Sequence, residues 1–440
     1  MQPVKIGILG LGTVGCGTVT VLARNHEEIA RRAGREMRIV QASARNLKKK
    51  RPCATGDIQL VEDPGAIVRN PEIEVVVELI GGIDPARALV LEAIEHGKHV
   101  VTANKALIAM HGNEIFAAAQ KQGVMVAFEA AVAGGIPIIK MLREGLTANR
   151  IEWLAGIING TSNFILTEMR VKGVDFADVL KEAQRLGYAE TDPRFDVEGI
   201  DAAHKLTILA AIAFGIPLQF NKVYVEGITK ITRMDVQYAE QLGYRLKLLG
   251  IARRAGGAVE LRVHPTLIPE RRLIANVEGA MNAVLVKGDA VGPTMFYGAG
   301  AGAEPTASAV VADLVDVVRT LTTDPNNRVP HLAFQSDALS DLRILPIEEI
   351  DTSYYLRLHA LDKPGVLADV TRILADMQIS IEAILQKEPH AGEDTVPVII
   401  LTQRVREKNM NEAIARIEKL GSIKGRVARI RLEHLNPDWN

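Results

Sequence analysis

The chain has few of the features that mark exported, membrane or metal-cluster proteins. Its two cysteines, Cys16 and Cys53, are too few for a disulfide framework or a four-cysteine zinc site. No uninterrupted apolar stretch reaches about 18 residues, and the first residues show neither a basic-then-apolar signal pattern nor a small-residue cleavage site. We therefore expect a cytoplasmic protein that is neither exported nor inserted into a membrane.

An excess of charge of one sign is also lacking. Lysine and arginine total 52 against 53 for aspartate and glutamate, so the formal net charge is -1. This balance provides no chain-wide field that would attract phosphate backbones or an anionic membrane, and we expect no nucleic-acid or membrane partner. The 440 residues, 48% of them apolar, instead indicate about three globular units with ordinary cores.

The first third of the chain alternates short apolar runs with amphipathic stretches, a pattern typical of a parallel sheet covered by helices on both faces. The predicted strands are residues 4–9, 38–44, 73–80, 99–102 and 124–128. The predicted helices are residues 12–32, 84–96 and 105–120. We predict a first domain over residues 1–135.

After residue 135 the pattern changes to longer helices with interspersed strands, which predicts a second domain over 136–325. Its predicted helices are 163–171, 176–186, 199–214 and 307–321, and its predicted strands are 151–158 and 261–265. We expect the last of these helices to return to the first domain. A third domain is predicted over 350–434, with strands 354–360, 380–387, 395–403 and 426–431 and helices 365–377 and 409–420. Their order, βαββαβ, is typical of a small ferredoxin-like unit.

A glycine loop follows the first strand and opens the first helix, in the sequence Gly10, Leu11, Gly12, Thr13, Val14, Gly15. In that context GxGxxG indicates dinucleotide binding, because the glycines permit a tight turn, close approach of the pyrophosphate and close helix packing. An ordinary tight turn without a ligand is the alternative.

The second strand ends in Ser43-Ala44-Arg45 and is followed by a basic run, whereas an NAD site usually places an acid there for the ribose hydroxyls. Arg45 could neutralise a ribose 2′-phosphate, which favours NADPH over NADH, with NAD still possible. A solvated basic loop is the alternative explanation.

The densest set of reactive side chains lies in LGYAETDPRFDVEGIDAAHK, where the acids Glu190, Asp192, Asp196 and Asp201 precede Lys205. In a helix, Asp201 and Lys205 are four residues apart and share a face. A solvated ion pair is one explanation. The apolar run LTILAAIAF that follows favours a buried pair instead.

Several separated motifs together resemble the homoserine dehydrogenases, which interconvert aspartate semialdehyde and homoserine. They are the glycine loop, TANKA at 102–106, EAAVAGGIP at 129–137, INGTSN at 158–163 and GYAE at 187–190 running on to Lys205. The segment HALDKPGVL at 359–367 resembles the opening of an ACT domain, an amino-acid-sensing module. The resemblance implies an α/β protein with an N-terminal Rossmann-type parallel sheet, an α+β catalytic and dimerisation domain, and a C-terminal ferredoxin-like ACT domain.

The resemblance also implies residue roles. Hydride reduction of an aldehyde leaves an alkoxide that needs a proton donor. Lys205 is the expected donor and acceptor, provided that its pKa, ordinarily about 10.4, is lowered by burial or a second cation. Lys105, which on spacing alone could be a solvated loop residue, is expected where nicotinamide and substrate meet. Which lysine transfers the proton stays open.

The remaining site residues follow from the same resemblance. Expected substrate ligands are Glu190, Asp196, Asp201, Asn159, Gly160 and Thr161, although the residues alone rank Asp192 equally with the other acids. Further cofactor contacts are expected from Thr102, Lys105, Gly187 and Gly302. A monovalent cation, sodium, is expected at Glu129 with the carbonyl groups of Val132, Gly134 and Ile136, since oxygen ligands suit a hard cation. The alternative there is a turn whose carbonyls meet water.

The implied activity is reversible NAD(P)H-dependent reduction of L-aspartate 4-semialdehyde to L-homoserine in threonine and methionine biosynthesis. The implied effector at the tail domain is threonine, although that domain could instead only mediate dimer contacts. A homodimer or homotetramer is expected, because symmetric oligomers are common among such enzymes. The alternative function is a nucleotide- and amino-acid-binding regulatory protein that has lost catalysis.

Overall fold

The computed structural model describes residues 2–387 and 394–436. The strands, in chain order, are β1 (Val4–Leu9), β2 (Met37–Ser43), β3 (Gln59–Val61), β4 (Val75–Glu78), β5 (His99–Thr102), β6 (Val126–Ala127), β7 (Ile151–Ile157), β8 (Tyr224–Val225), β9 (Tyr244–Ala255), β10 (Ala258–Pro269), β11 (Met281–Gly288), β12 (Gly292–Ala299), β13 (Asp351–Leu361), β14 (Ile381–Gln386), β15 (Thr395–Thr402), β16 (Val405–Arg406) and β17 (Ala428–Leu432).

The α-helices, in the same order, are α1 (Thr13–Arg24), α2 (His26–Ala33), α3 (Gly65–Arg69), α4 (Ala86–Glu95), α5 (Lys105–Gln122), α6 (Ile138–Lys140), α7 (Gly160–Lys172), α8 (Phe176–Arg185), α9 (Arg194–Val197), α10 (Ile200–Phe214), α11 (Arg233–Gln241), α12 (Ala303–Thr320), α13 (Val366–Asp376) and α14 (Glu407–Ile417). No helix of the described ranges is both long and apolar enough to cross a membrane.

The chain divides into two compact units. The first unit comprises Met1–Gly160, Asp201–Val223 and Ala280–Leu342, and the second comprises Thr161–Ile200, Tyr224–Gly279 and Arg343–Asn440. The catalytic and cofactor motifs therefore fall mainly in the first unit, whereas the tail domain shares the second unit with two inner segments.

The first unit contains a parallel sheet in the order β3-β2-β1-β4-β5-β6. Strands β1 and β4 are buried on both faces, as their Val- and Ile-rich sequences predict. The chain reverses its direction of travel across the sheet between β1 and β4, and ligands bind beyond the carboxyl ends of strands at such a point. The predicted Rossmann-type sheet is confirmed.

Helix α12 packs against α1 in this unit, and both helices contribute buried side chains to the same apolar cluster. At their closest approach, a side chain at Gly17 would overlap the backbone of Ala303. An exposed ion pair of 2.8 Å joins Arg24 to Glu304 near the start of α12. The single helix predicted over 12–32 is wrong, since the chain breaks at Asn25 into α1 and α2.

The first unit also contains an antiparallel set of strands in which β11 pairs with both β7 and β12. Strand β7 lies at the predicted position, within residues 151–158. Hairpin β11–β12 has no counterpart in the sequence prediction. Its second strand is only partly buried.

The second unit contains the predicted βαββαβ unit, and each of its six elements lies within three residues of its predicted bounds. Its strand order is β17-β13-β15-β14. Helices α13 and α14 pack on the sheet over one apolar cluster. Strand β17 also pairs in parallel with β10, through Thr266 and Arg431, so hairpin β9–β10 continues this sheet.

Candidate active site

The glycine loop lies between β1 and α1 and has the shape expected of a phosphate-binding turn. Gly10 has φ of +100°, and a side chain there would lie 2.9 Å from the Leu79 carbonyl oxygen. A side chain at Gly15 would overlap the Gly10 carbonyl oxygen. Beside Gly12, by contrast, no atom lies within 4 Å of where a side chain would start. The backbone at Gly12 therefore borders open space at the start of α1, and a helix N-terminus favours a bound anion.

The end of β2 lies against this loop. The Gly10 N–H donates to the Ser43 hydroxyl oxygen at 3.2 Å. Arg45, two residues further on, is exposed. The basic loop that follows is held by Arg51, whose guanidinium donates to three carbonyl oxygens of residues 46–49 at 2.6–3.3 Å. Positive charge thus lies just beyond the carboxyl end of β2, next to the strand end that bonds to the glycine loop.

The carboxyl ends of β4 and β5 are joined by side-chain hydrogen bonds. The Thr102 hydroxyl donates to the buried Glu78 carboxylate at 2.7 Å. Asn104 caps α5 by accepting the Leu107 N–H at 3.1 Å, which makes Lys105 the first residue of that helix. Glu78 was missed by the sequence analysis. An acid at the end of a predicted parallel strand was the signal that could have identified it.

Two lysines and one aspartate form the central cluster of the site. Lys205 Nζ donates to Asp201 Oδ2 at 2.7 Å and to the Ile158 carbonyl oxygen at 2.8 Å. Lys105 Nζ lies 2.7 Å from Asp201 Oδ1. Asn159 Nδ2 donates to Asp201 Oδ2 at 2.9 Å. Four of the predicted site residues are therefore brought together within the first unit.

This cluster is buried but not closed. The Asp201 side chain is 3% exposed and the Lys205 side chain 10% exposed, whereas the Lys105 side chain is 35% exposed. Burial alone would raise the pKa of the Asp201 carboxyl, but the two adjacent ammonium groups outweigh burial and hold that pKa well below its usual value. Asp201 is therefore a permanent carboxylate that fixes both lysines.

His204 packs beside the cluster, with its ring 4.3 Å from the ring of Phe220. Burial, together with smaller effects of the two lysines and against the opposing effect of Asp201, lowers the pKa of His204 to about 4. The imidazole is therefore neutral near pH 7.

Other predicted substrate residues lie in the second unit, along residues 187–200. The Thr161 hydroxyl donates to the Tyr188 carbonyl oxygen at 2.7 Å, and the Ser162 hydroxyl donates to the Asp196 carbonyl oxygen at 3.0 Å. Glu190 is exposed, and Gly187 has φ of +79°. Gly160, the first residue of α7, belongs to the first unit.

Asp192 has a cationic partner two residues further along the chain, Arg194. It forms an exposed ion pair of 2.6 Å with Arg194. The hydrogen bond from that guanidinium lowers the pKa of Asp192 to about 2. The Asp192 charge is thus matched at the surface by its neighbour, whereas the Asp201 charge is matched inside the cluster by two lysines.

The buried Glu129 carboxylate lies at the start of α6. It accepts N–H groups from Ile139 at 2.9 Å and from Lys140 at 2.7 Å. Burial raises the pKa of Glu129 to about 7, against the opposing effect of these two hydrogen bonds.

The predicted carbonyl ligands follow Glu129 on a strongly bent backbone, in which Ala133 and Gly134 have φ of 53° and 33°. The Ile136 carbonyl oxygen accepts the Ile138 N–H at 2.7 Å, and a carbonyl oxygen has a second lone pair for a cation. The segment offers only oxygen ligands, which fits a hard cation. No group of three or more His, Cys, Asp or Glu side chains arranged to hold a metal occurs within residues 2–387 and 394–436.

Gly302 precedes α12 and has φ of +131°. Through the packing of α12 on α1, it returns the chain to the nucleotide-binding part of the first unit.

Three family models match the chain. One described as the NAD-binding domain of homoserine dehydrogenase matches residues 10–129, one described as homoserine dehydrogenase matches 137–315, and one described as the ACT domain matches 354–421. Homoserine dehydrogenase of Pseudomonas aeruginosa is 66% identical over 436 residues, which cover 99% of this chain and 100% of the relative. That of Neisseria gonorrhoeae is 56% identical over 437 residues, with the same coverage.

Solved structures agree with these matches. The crystal structure of a homoserine dehydrogenase from Thiobacillus denitrificans is 70% identical, covers 99% of each chain and has a TM-score of 0.95. A hyperthermophilic archaeal homoserine dehydrogenase in complex with NADPH is 26% identical and covers 72% of this chain and 98% of its own, with a TM-score of 0.62.

Proposed function

Because this chain belongs to the homoserine dehydrogenase family, we propose that Lys205 and Lys105 carry the proton transfer of its reaction. The chain is an NAD(P)-dependent oxidoreductase that interconverts L-aspartate 4-semialdehyde and L-homoserine, a step toward threonine and methionine. The predicted family, fold class and activity are confirmed. The alternative, a regulatory protein without catalysis, is not favoured by these matches.

The observation that carries the proposal is the Lys205–Asp201–Lys105 cluster. The bound nicotinamide supplies or accepts the hydride, and the substrate oxygen that gains negative charge then needs a proton. Lys205 is fixed toward Asp201 and the Ile158 carbonyl, and the more exposed Lys105 shares the same carboxylate. A lysine ammonium group held in this way donates a proton to the oxygen in reduction, and the neutral amine accepts the hydroxyl proton in oxidation.

Substitution of Lys205 tests this role. In Lys205→Ala we expect kcat to fall by roughly 10²- to 10⁴-fold, with the NADPH dissociation constant from nicotinamide fluorescence unchanged. Lys98→Met is the matched control, because Lys98 is also buried in the first unit but donates only to the carbonyls of Asn70 and Ile73. A Lys205→Ala enzyme near the wild-type rate would remove Lys205 from the mechanism.

For the substrate we propose that Glu190, Asp196 and Asp201 bind its ammonium and hydroxyl groups, and that Asn159, Gly160 and Thr161 also contact it. Charge-assisted hydrogen bonds from a small cationic group suit carboxylates. The position of Asp201 beside Asn159 supports this assignment. A raised KM for homoserine in Glu190→Gln is the expected result.

For the cofactor we propose contacts from the glycine loop, Thr102, Gly187 and Gly302, with Arg45 selecting NADPH over NADH. The open space beside Gly12 and the exposed Arg45 near Ser43 support this choice. Binding of a nicotinamide cofactor itself follows from the matched domain.

We also propose that Glu129, with the carbonyls of Val132, Gly134 and Ile136, binds a monovalent cation such as sodium. The oxygen-only segment and its bent backbone support this proposal. Thermal stability should rise with NaCl more than with an equal concentration of tetramethylammonium chloride, and equal effects would reject the site.

For regulation we propose that threonine binds at the start of α13, where Gly365 has φ of +93° and backbone donors open the helix. Calorimetric titration of the full chain with threonine tests this assignment, and the absence of binding heat at millimolar threonine would reject it.

We propose a homodimer or homotetramer, to be measured by light scattering, and a cytoplasmic location that suits the two free thiols. The domain boundaries 1–135, 136–325 and 350–434 are likewise proposals.

A further inference from the structure

A short stretch of the second unit holds the acids that precede the catalytic helix. We call residues 190–200 the acid strap; its last residue, Ile200, begins α10 and is followed directly by Asp201. The Ile228 N–H donates to the Val197 carbonyl oxygen at 2.8 Å. The Thr229 hydroxyl donates to Glu198 Oε1 at 3.1 Å. Residues 225–229, here called the clamp, therefore contact the strap at the Val197 backbone and the Glu198 side chain.

The clamp and the strap lie so close together that Gly227 has no room for a side chain. A side chain at Gly227 would overlap the Val197 carbonyl oxygen and lie 2.5 Å from the Glu198 Cα. Glycine is required here for close approach. The strap and the clamp are therefore in direct backbone contact at Val197 and Glu198.

The clamp is itself held from its other side. Strand β8 pairs with β10, and the Glu226 N–H donates to the Val263 carbonyl oxygen at 2.8 Å. The Glu226 carboxylate accepts from Arg431 Nη1 and from the Tyr224 hydroxyl, both at 2.8 Å. Arg431 stands on β17 of the ACT domain, is 1% exposed and also pairs with Glu407.

This contact is electrostatically strong. Burial opposes ionisation of Glu226, but the charge and hydrogen bond of Arg431 outweigh it and keep the Glu226 pKa below its usual value. The guanidinium also lies 4.8 Å from the centre of the Tyr224 ring. A buried ion pair with additional hydrogen bonds fixes geometry more strictly than an exposed pair does.

We propose that Glu226 is a positioning residue for the substrate, through which strand β17 of the ACT domain sets the placement of the acid strap. The charge pair Arg431–Glu226 fixes the clamp, and the clamp fixes Val197 beside Asp196. The inference rests on the proposed roles of Glu190 and Asp196.

Kinetics of Glu226→Gln test the inference, because glutamine keeps the shape and the Tyr224 contact but loses the charge. We expect KM for homoserine to rise roughly three- to tenfold, with kcat and KM for the cofactor within about twofold of wild type, the experimental margin. Glu226→Asp, which restores the charge, should recover part of the affinity. Glu412→Gln is the matched control, since Glu412 pairs with Arg416 on the exposed face of α14.

Amide hydrogen exchange separates this inference from the proposed function. In Glu226→Gln we expect faster exchange of residues 196–200 and 228, and unchanged exchange there would overturn the clamp. Faster exchange with unchanged KM for homoserine would overturn its effect on substrate. If Glu190→Gln also leaves that KM unchanged, the failure lies in the proposed role of the acids instead.

Discussion

Arg45 is exposed and follows the β2 residue that bonds to the glycine loop. If it faces a ribose 2′-phosphate, its removal affects only the phosphorylated cofactor. In Arg45→Ala we expect KM for NADPH to rise about tenfold, the worth of one charge-assisted hydrogen bond, with little change for NADH.

Lys49→Ala provides the control for Arg45, because Lys49 is an exposed cation of the same loop. If both cofactors lose affinity equally in Arg45→Ala, the assignment of the 2′-phosphate to Arg45 is wrong.

His99 should contribute to acid lability. Its Nδ1 accepts the Met125 N–H at 3.0 Å, and burial, with a smaller effect of Arg328, lowers its pKa to about 4. Between pH 6.5 and pH 4, His99 is protonated in the unfolded chain but not in the folded one. The contribution of the neutral His99 to the free energy of unfolding is therefore complete above pH 6.5 and is lost as the pH falls toward 4. The loss is roughly 3 kcal/mol at most.

Chemical denaturation at pH 7 and pH 5 measures this effect. In His99→Asn, whose amide oxygen can still accept the Met125 N–H, we expect the free energy of unfolding to change less between these pH values. An unchanged pH dependence would show that His99 does not titrate differently on folding.

The sequence could predict that a residue belongs to the site where that residue lies in a contiguous motif. Lys205 and Asp201 are four residues apart, so helical spacing alone placed them on one face. The contacts with Lys105 and the Ile158 carbonyl join segments far apart in the chain, and local periodicity carries no information about such contacts. Pairing of Asp192 with Arg194, although local, depended on a turn that the spacing did not specify.

At the scale of elements, two glycines of the loop differ in their surroundings: Gly15 is packed against the protein backbone, whereas Gly12 borders open space. A side chain at Gly15 meets the Gly10 carbonyl, whereas one at Gly12 meets no atom of the protein within 4 Å. We expect Gly12→Ala to keep wild-type thermal stability but bind NADPH at least roughly tenfold more weakly, because the methyl group occupies pyrophosphate space.

In Gly15→Ala we expect the main effect on stability instead: the melting temperature without cofactor should fall, because the methyl group overlaps the Gly10 carbonyl oxygen. Calorimetry and fluorescence titration of both variants distinguish them. A destabilised Gly12→Ala with normal cofactor affinity would contradict this interpretation.

Elements that carry their own apolar periodicity and end signals were predicted from the sequence. Elements that form mainly through pairing with a neighbouring strand were not. The tail unit matches because each of its strands and helices carries its own apolar pattern. Strand β3, with three residues at the sheet edge, and hairpin β11–β12, with a partly exposed second strand, have little burial pattern to read. The break at Asn25 lies between two helices that each continue the amphipathic pattern, so periodicity did not reveal it.

At the scale of the whole molecule, the ACT domain is built into its unit rather than appended to it. Arg262, 1% exposed on β10, pairs with Glu433 at 2.7 Å. A chain ending at residue 349 would leave this guanidinium without that carboxylate and uncover the β10 edge. We expect its melting temperature to fall by roughly 10 °C or more, or the chain to aggregate.

Differential scanning calorimetry of the truncated and full chains tests this expectation. Glu433→Gln in the full chain isolates the ion pair from the rest of the deletion. A truncated enzyme with the wild-type melting temperature would show that the domain is separable.

The seating of α12 on α1 also has a consequence for biosynthesis on the ribosome. Arg24 and its partner Glu304 are separated by 280 positions, so the first helix emerges from the exit tunnel long before the helix that covers it. Until then the part of its surface that α12 covers is not buried by that helix. Completion of the cofactor-binding fold is therefore a late event of translation, and nascent chains halted before residue 303 should not retain NADPH.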